Sequence, residues 1–181
     1  PDGRRRGIEL EAVARPSPRW RLGAVANLSR NRIEVWRQAL DVYDETYGWA
    51  GGELVTVYDT PPALSPETIL GASVEWLPRP ALLLALSGRW VDSAQLDNLG
   101  EAALATPSFA WFDLAARFEL GRWLAAGSPA LTLRVNRLLD ERRAWPSGYS
   151  YPYLVRGGGG DRIEGVPYYY PLAPRHAVSR R

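Results

Sequence analysis

Apolar and polar residues alternate with a period of two along this chain, in segment after segment, and that pattern restricts the backbone to strands. From Ala110 to Leu120 the even positions are Ala110, Phe112, Leu114, Ala116, Phe118 and Leu120, while Asp113, Ala115, Arg117 and Glu119 stand between them. A strand sends successive side chains to opposite faces, so one face here is wholly apolar and the other carries both signs of charge. A helix would spread those charges around its circumference. The same alternation places Leu82, Leu84, Leu86 and Trp90 together, and likewise Leu70, Ala72, Val74 and Trp76. It also groups Leu22, Ala24, Ala26 and Leu28, then Ile8, Leu10, Ala12 and Ala14, then Leu131, Leu133 and Val135. These six strands run about 8–11 residues each, close to the roughly 9–11 that a tilted strand needs to cross a bilayer.

The connections alternate too. Arg15-Pro16-Ser17-Pro18-Arg19 and Leu77-Pro78-Arg79-Pro80 are short, Pro-rich turns that permit only antiparallel hairpins. Between them nearly forty residues, from about Asn31 to Thr68, read as a loop, and about 18 more run from Asp92 to Phe109. An intermediate link covers Gly121 to Pro129, and a very long one covers Leu139 to Pro174. Compact water-soluble domains seldom carry loops this long; membrane barrels do, with short turns at one end and long loops at the other. Trp20 and Trp76 fall at the turn ends of their apolar faces and Trp90 at a loop end, the heights of an interfacial girdle.

Composition narrows the chemistry. The 181 residues contain no Cys and a single His, His176, so thiol nucleophiles, disulfide scaffolds, zinc clusters and His-based triads are all excluded. Every basic residue is Arg, and 22 of them face 20 acids, a near-balance that gives no electrostatic case for nucleic acid. The longest apolar run, Ala81 to Leu86, is far below the roughly 18–20 residues of a membrane helix. Methionine is absent even at position 1, so the chain is expected to be a piece of a longer protein.

No catalytic, cofactor or metal site is expected. Glu9 with Glu11, or Asp113 with Glu119, could pass for the carboxylate pair of a glycosidase. They read more simply as lumen-facing charges balanced by Arg21, Arg89, Arg117 and Arg134 on neighbouring strands. Gly157 to Gly160 has no following Lys-Ser or Lys-Thr, so it is no phosphate loop but a flexible loop tip. Tyr149, Tyr151 and Tyr153 on one side of the last long loop, and Tyr168, Tyr169 and Tyr170 on the other, are the candidate ligand-contact residues. They would hold a planar ligand by stacking, or else pack the loop against itself and line the upper girdle.

Five stretches in order resemble the TonB-dependent outer-membrane receptors. Arg6-Gly7-Ile8-Glu9-Leu10-Glu11 resembles the RGxExE strand opening, and Thr60-Pro61-Pro62-Ala63-Leu64-Ser65-Pro66 the TP segment that leads from an extracellular loop into the next strand. Gly88-Arg89-Trp90-Val91 followed by Leu96-Asp97-Asn98 resembles the GRYVG…LDN strand exit, and Ser108-Phe109 through Asp113 resembles PSYxxxD. Leu131 to Asp140 resembles the LxVxNLFD strand, with Arg137 where the family most often has Asn. Pro174 to Val178 resembles the opening of the family's final strand, which Ser179-Arg180-Arg181 cuts short.

The resemblance implies that residues 1–181 are the C-terminal portion of such a β-barrel, with the plug domain and N-terminal strands absent and the final strand truncated. Fold class is then all-β, an antiparallel up-and-down meander of about six or seven strands from a 22-stranded transmembrane barrel. Leu82, Leu84, Leu86, Phe112, Leu114 and Phe118 should project from its convex face, and Glu9, Arg89, Asp113 and Arg117 from the concave one. The implied function is import of a scarce nutrient across the outer membrane of a Gram-negative bacterium, with a ferric siderophore ranked first and no enzymatic activity. The implied partners are the TonB complex through the N-terminal region, the barrel-assembly machinery and outer-membrane lipid. A second reading is a soluble or surface-exposed β-sandwich whose Tyr-rich loop contacts carbohydrate. A third, an outer-membrane lipase, lacks a Ser-His-Asp set.

Overall fold

A computed structural model describes residues 2–121 and 129–180. The strands are β1 (Gly3–Ser17), β2 (Trp20–Asp44), β3 (Trp49–Thr60), β4 (Thr68–Arg79), β5 (Leu82–Val91) and the two-residue β6 (Ala94–Gln95). They continue with β7 (Ala105–Thr106), β8 (Phe109–Glu119), β9 (Ala130–Asn136), β10 (Ser147–Arg156), β11 (Arg162–Tyr170) and β12 (His176–Arg180). A single 3-10 turn, Ala102–Leu104, precedes β7. Ten of the strands form one sheet that curls as part of a barrel, while β6 and β7 pair only with each other.

Seven strands form the meander that periodicity predicts: β1, β2, β4, β5, β8, β9 and β12, each antiparallel to the next. In register, Leu10 pairs with Ala26, Ala26 with Leu70, Leu70 with Trp90, and Trp90 with Ala110. Two rows below on the same face, Leu22, Val74, Leu86, Leu114 and Val135 follow one another across the sheet. Paired residues share a face, so every predicted apolar residue falls on one face and Glu9, Arg89, Asp113 and Arg117 on the other. Among the described residues, nothing covers the apolar side. Ile8 is 61% exposed, Leu10 58% and Leu86 42%, where a β-sandwich would hold such a row in a dry core facing a second sheet.

The two Pro-rich turns are tighter than their sequences suggest. Ser17 pairs with Trp20 and Arg79 with Leu82, leaving Pro18-Arg19 and Pro80-Ala81 as two-residue connections. Pro16 and Pro78 lie inside strands, each where the register slips by one residue. A bulge is where a strand can accept a residue with no N–H to donate. At this end Trp20 and Trp76 pair directly, their rings stacked with centroids 5.4 Å apart. The link to β9 lies largely outside the described residues, across 122–128.

Two of the three long connections are not loops, whereas 92–108 holds only the two-residue β6 and β7 and one 3-10 turn. Trp20–Asp44 is one strand of 25 residues, whose lower part pairs with β1 and β4 and whose upper part pairs with β3. Residues 147–170 form the antiparallel hairpin β10–β11, and β10 joins β2 in parallel through Tyr153 to Asp41 and Arg156 to Asp44. Sequence reading missed this extension because the upper strands alternate less cleanly. The buried residues gather at this loop end: Leu40 and Val42 of β2, Leu96, Leu99 and Leu104 between β5 and β8, Phe109 at the start of β8, Ala144, and Leu154 and Val155 of β10.

A tyrosine face at the loop end

Side chains alternate along β10 and β11, so the hairpin has two distinct sides. Gly148, Ser150, Pro152 and Leu154 face the 92–106 segment. The Ser150 hydroxyl donates to the Asp97 carboxylate there, and Leu104 packs so close to Gly165 that an added Cβ would stand 3.0 Å from it. The segment is itself pinned to the strand entry before β4, where Ala63 N–H donates to Asn98 Oδ1 (2.7 Å) and Leu64 N–H to the Gln95 carbonyl (2.8 Å). Asp97 Oδ1 also accepts the Leu99 N–H (2.8 Å), so both polar residues of Leu96-Asp97-Asn98 are fixed by backbone.

Tyr149, Tyr151 and Tyr153 stand on the opposite side. Tyr149 pairs with Tyr168, and their rings stack at 4.8 Å, with Tyr170 tilted beside them at 6.1 Å. Tyr149, Tyr151, Tyr168 and Tyr170 are exposed. Tyr169 is not part of this set. Consecutive residues of a strand point to opposite faces, so Tyr169 turns back, stacks on Trp145 at 4.9 Å and donates to the Ala105 carbonyl (3.2 Å). Of the six candidate tyrosines, five share a face and one buttresses it.

Sequence reading missed the residues that β2 adds to that face. The Tyr151 hydroxyl donates to Asp41 Oδ2 (3.0 Å), and the Tyr153 ring meets Tyr43 edge-on at 5.4 Å and Tyr47 at 6.5 Å. Tyr47 donates to Glu164 Oε2 (3.0 Å), which Arg162 clamps through Oε1 (2.5 Å). The bond to Asp41 holds the Tyr151 phenol above its ordinary pKa, and burial, then the Glu164 charge, does the same for Tyr153. Hydrogen bonds from Arg162 and Tyr47 keep Glu164 below the usual carboxylate range. At neutral pH Tyr151 and Tyr153 therefore present neutral hydroxyl groups, not phenolates.

Asp41 and Tyr43 are odd positions of β2, as are Arg21, Gly23, Val25 and Asn27. Alternation along β2 is unbroken, because the register shifts fall on its partners. The tyrosines therefore stand on the same side of the sheet as the charged row. That row is paired less by charge than the sequence suggests. Glu9 accepts from Asn27 (2.8 Å), Glu75 meets Arg21 at 3.6 Å, Arg117 pairs with Glu119 on its own strand, and Asp113 accepts the Arg137 backbone N–H (2.8 Å). The Arg89 guanidinium lies 5.8 Å from the centre of the Trp111 ring. Glu11, Arg21, Glu75, Arg89 and Asp113 border an open cavity of about 540 Å³ over the middle of this face. The Gly157–Gly160 tip is a tight turn that closes β10–β11, in which Gly160 N–H donates to the Gly157 carbonyl and Gly158 N–H to Glu45 Oε1 (2.6 Å). Among the described residues, no group of three or more His, Asp or Glu side chains is placed to hold a metal ion.

No family model and no curated protein matches the sequence. Solved structures do match. The siderophore receptor PiuA from Acinetobacter baumannii superposes with a TM-score of 0.64 at 14% identity, over 98% of this chain and 21% of the receptor. The ferric yersiniabactin uptake receptor FyuA from Yersinia pestis gives 0.59 at 18% identity, over 98% and 22%. The open form of the ferric-catecholate import receptor Fiu from E. coli K12 gives 0.55 at 14%, over 98% and 20%. The chain spans about a fifth of the length of these receptors, and its fold, a curled all-β sheet, matches part of the barrel of such TonB-dependent receptors.

Proposed function

We propose that this chain is the C-terminal part of the barrel of an outer-membrane active transporter, which imports a scarce nutrient with energy delivered through TonB. The observation that carries the reading is a curled sheet with one continuous, uncovered apolar face. From Trp20 to Leu28 that face runs about 26 Å along the strand, at ~3.3 Å per residue, or about 20 Å of height at a barrel tilt of about 40°, comparable with the apolar band of about 25 Å on membrane barrels. In this reading the charged face lines the lumen, the turn end lies toward the periplasm and the loop end toward the outside. TonB reaches the transporter through its N-terminal region, and the barrel-assembly machinery inserts it in the outer membrane. The protein is a carrier rather than an enzyme.

A ferric siderophore is the proposed cargo, supported by what the matching receptors take up. Tyr149, Tyr151, Tyr153, Tyr168 and Tyr170 are the proposed contact residues, with Tyr169 behind them. The stacked Tyr149 and Tyr168 rings, with Tyr170 tilted beside them, favour a planar aromatic ligand such as a catecholate or phenolate chelator. Uptake of radiolabelled iron as a panel of siderophores, by cells carrying or lacking the complete gene, tests this. TonB-dependent uptake that disappears with the gene, and weakens with Tyr149→Ala plus Tyr168→Ala, is expected. Recovery of the complete protein from the soluble fraction, with uptake unchanged, would overturn the reading.

A further inference from the structure

On the apolar face, the row above Ile8 and Leu28 changes abruptly to arginine. Arg6 pairs with Arg30 and Arg4 with Arg32, and all four lie on the same side of the sheet as Ile8, Leu10 and Leu28. The upper two are provided for. Arg4 meets Glu34 at 3.2 Å and Asp59 at 3.0 Å, and Arg32 meets Glu67 at 2.6 Å. The lower two are exposed and, among the described residues, have no acidic partner. Like charges directly opposite on neighbouring strands have Cβ atoms about 5 Å apart and repel. The strands bring this pair together at the loop-side rim of the apolar face and supply nothing to neutralise it.

Resting on the outer-membrane reading above, we propose that Arg6 and Arg30 form a binding site for the phosphate group of an outer-leaflet lipid, with Arg4 and Arg32 as its upper border. Two guanidinium groups side by side can each donate two hydrogen bonds to phosphate oxygens. The exposed Ile8 and Leu28 directly beneath would meet the acyl chains of the same lipid. Continuity of the charged row with the apolar face argues for a lipid over a free anion, because a soluble phosphate would gain nothing from Ile8 and Leu28. The lipid then supplies the counter-charge that the strand pairing lacks.

The test uses the complete transporter purified in a neutral detergent, with native mass spectrometry reading bound lipid. Lipid A should bind in preference to the same lipid stripped of its phosphates. Arg6→Gln with Arg30→Gln should lower binding on the order of tenfold, and Arg6→Lys with Arg30→Lys should restore most of it. Arg15→Gln with Arg19→Gln, at the turn end, should leave binding unchanged. Millimolar inorganic phosphate should not compete. Equal retention of the phosphorylated and stripped lipids, no effect of the Gln pair, or full displacement by inorganic phosphate would each overturn the proposal. Heat-modifiable migration and outer-membrane fractionation of the same variants report on the transporter reading separately. A correctly inserted barrel that ignores lipid phosphate refutes only the arginine site.

Discussion

The meander and the loop end are made from the same kind of strand and keep their apolar residues in opposite places. In the meander Ile8, Leu10, Leu22, Leu70, Leu86 and Phe118 all stay exposed, and no second layer among the described residues covers them. At the loop end Leu40, Leu104 and Val155 are 3%, 1% and 0% exposed, because the 92–106 segment closes over the β10–β11 hairpin. A chain that builds a dry core in one region has no general inability to bury leucine. In the outer-membrane reading proposed above, the meander leaves its leucines out because lipid covers them, and the loop end buries its own because water surrounds it.

The comparison breaks first on solvent. By itself in plain buffer, this 181-residue chain should aggregate, because the bare face far exceeds the few hundred Å² of apolar patch a water-soluble monomer shows. The outer edges of the sheet add unpaired backbone groups. Detergent should keep it dispersed. A sharp cooperative thermal transition in plain buffer, with dispersed amide NMR signals, would show an autonomous domain and remove the distinction between the two regions.

Within the complete barrel, paired substitutions sharpen it. Leu104→Ala should cost about 2–5 kcal/mol, the range for a buried leucine, and amide exchange should rise in β10 and β11 while the meander stays protected. Leu86→Ala should cost far less, since lipid fills the space. Leu86→Arg reverses that order within the meander, at about 2–4 kcal/mol in a bilayer. Its neighbour Ser87→Arg, on the charged face, should be nearly neutral. Equal costs at positions 86 and 87, measured by refolding into vesicles, would mean that the two faces meet the same medium.

These contrasts also explain what was legible in the sequence. The meander could be read residue by residue, because one apolar face and one charged face keep the alternation strict over Leu22–Leu28 or Ala110–Leu120. Above Leu28 the constraint relaxes. Ile33, Val35, Trp36, Ala39, Leu40 and Val42 put apolar groups on both faces of β2, so a strand looked like a loop. Tyr168-Tyr169-Tyr170 was seen as a cluster, although alternation alone separates the middle residue from its neighbours once a strand is assumed. Leu96, Leu99 and Leu104 carry no period at all. Their burial depends on tertiary contacts that Gly148 and Gly165 permit by lacking a side chain.

The junction of the regions offers a smaller effect with the opposite sign. Arg137 follows β9 directly, in the left-handed region at φ 54°, its backbone N–H held by Asp113 and the next one by the Phe112 carbonyl (2.7 Å). Its Nε and Nη1 are buried without a hydrogen-bond partner among the described residues. Asparagine tolerates this backbone conformation better and has no guanidinium to bury. Arg137→Asn should therefore stabilise the protein by about 1 kcal/mol, read as a higher midpoint in denaturant. A lower midpoint would mean that the guanidinium makes a compensating contact.

The smallest effect concerns the turn that joins β2 to β3, and it can be read with pH. Asp44 Oδ1 accepts the Thr46 hydroxyl (2.6 Å), the Thr46 N–H (2.8 Å) and the Gly48 N–H (2.8 Å), while Tyr47 sits between them at φ 59°. These bonds, led by the Thr46 hydroxyl, hold the carboxyl below its ordinary pKa in the folded turn. A group whose folded pKa is depressed gives its stability above the unfolded pKa and loses it as pH falls through the folded value. The β2–β3 hairpin tip should thus be well protected from amide exchange at neutral pH and open below the usual carboxylate range. Asp44→Asn should open it already at pH 7 and abolish the pH dependence. The meander has no share in this turn, so its protection should not move with either change. If acid loosens the Asp44→Asn tip as much as the wild-type tip, another group controls the turn and the carboxylate is incidental.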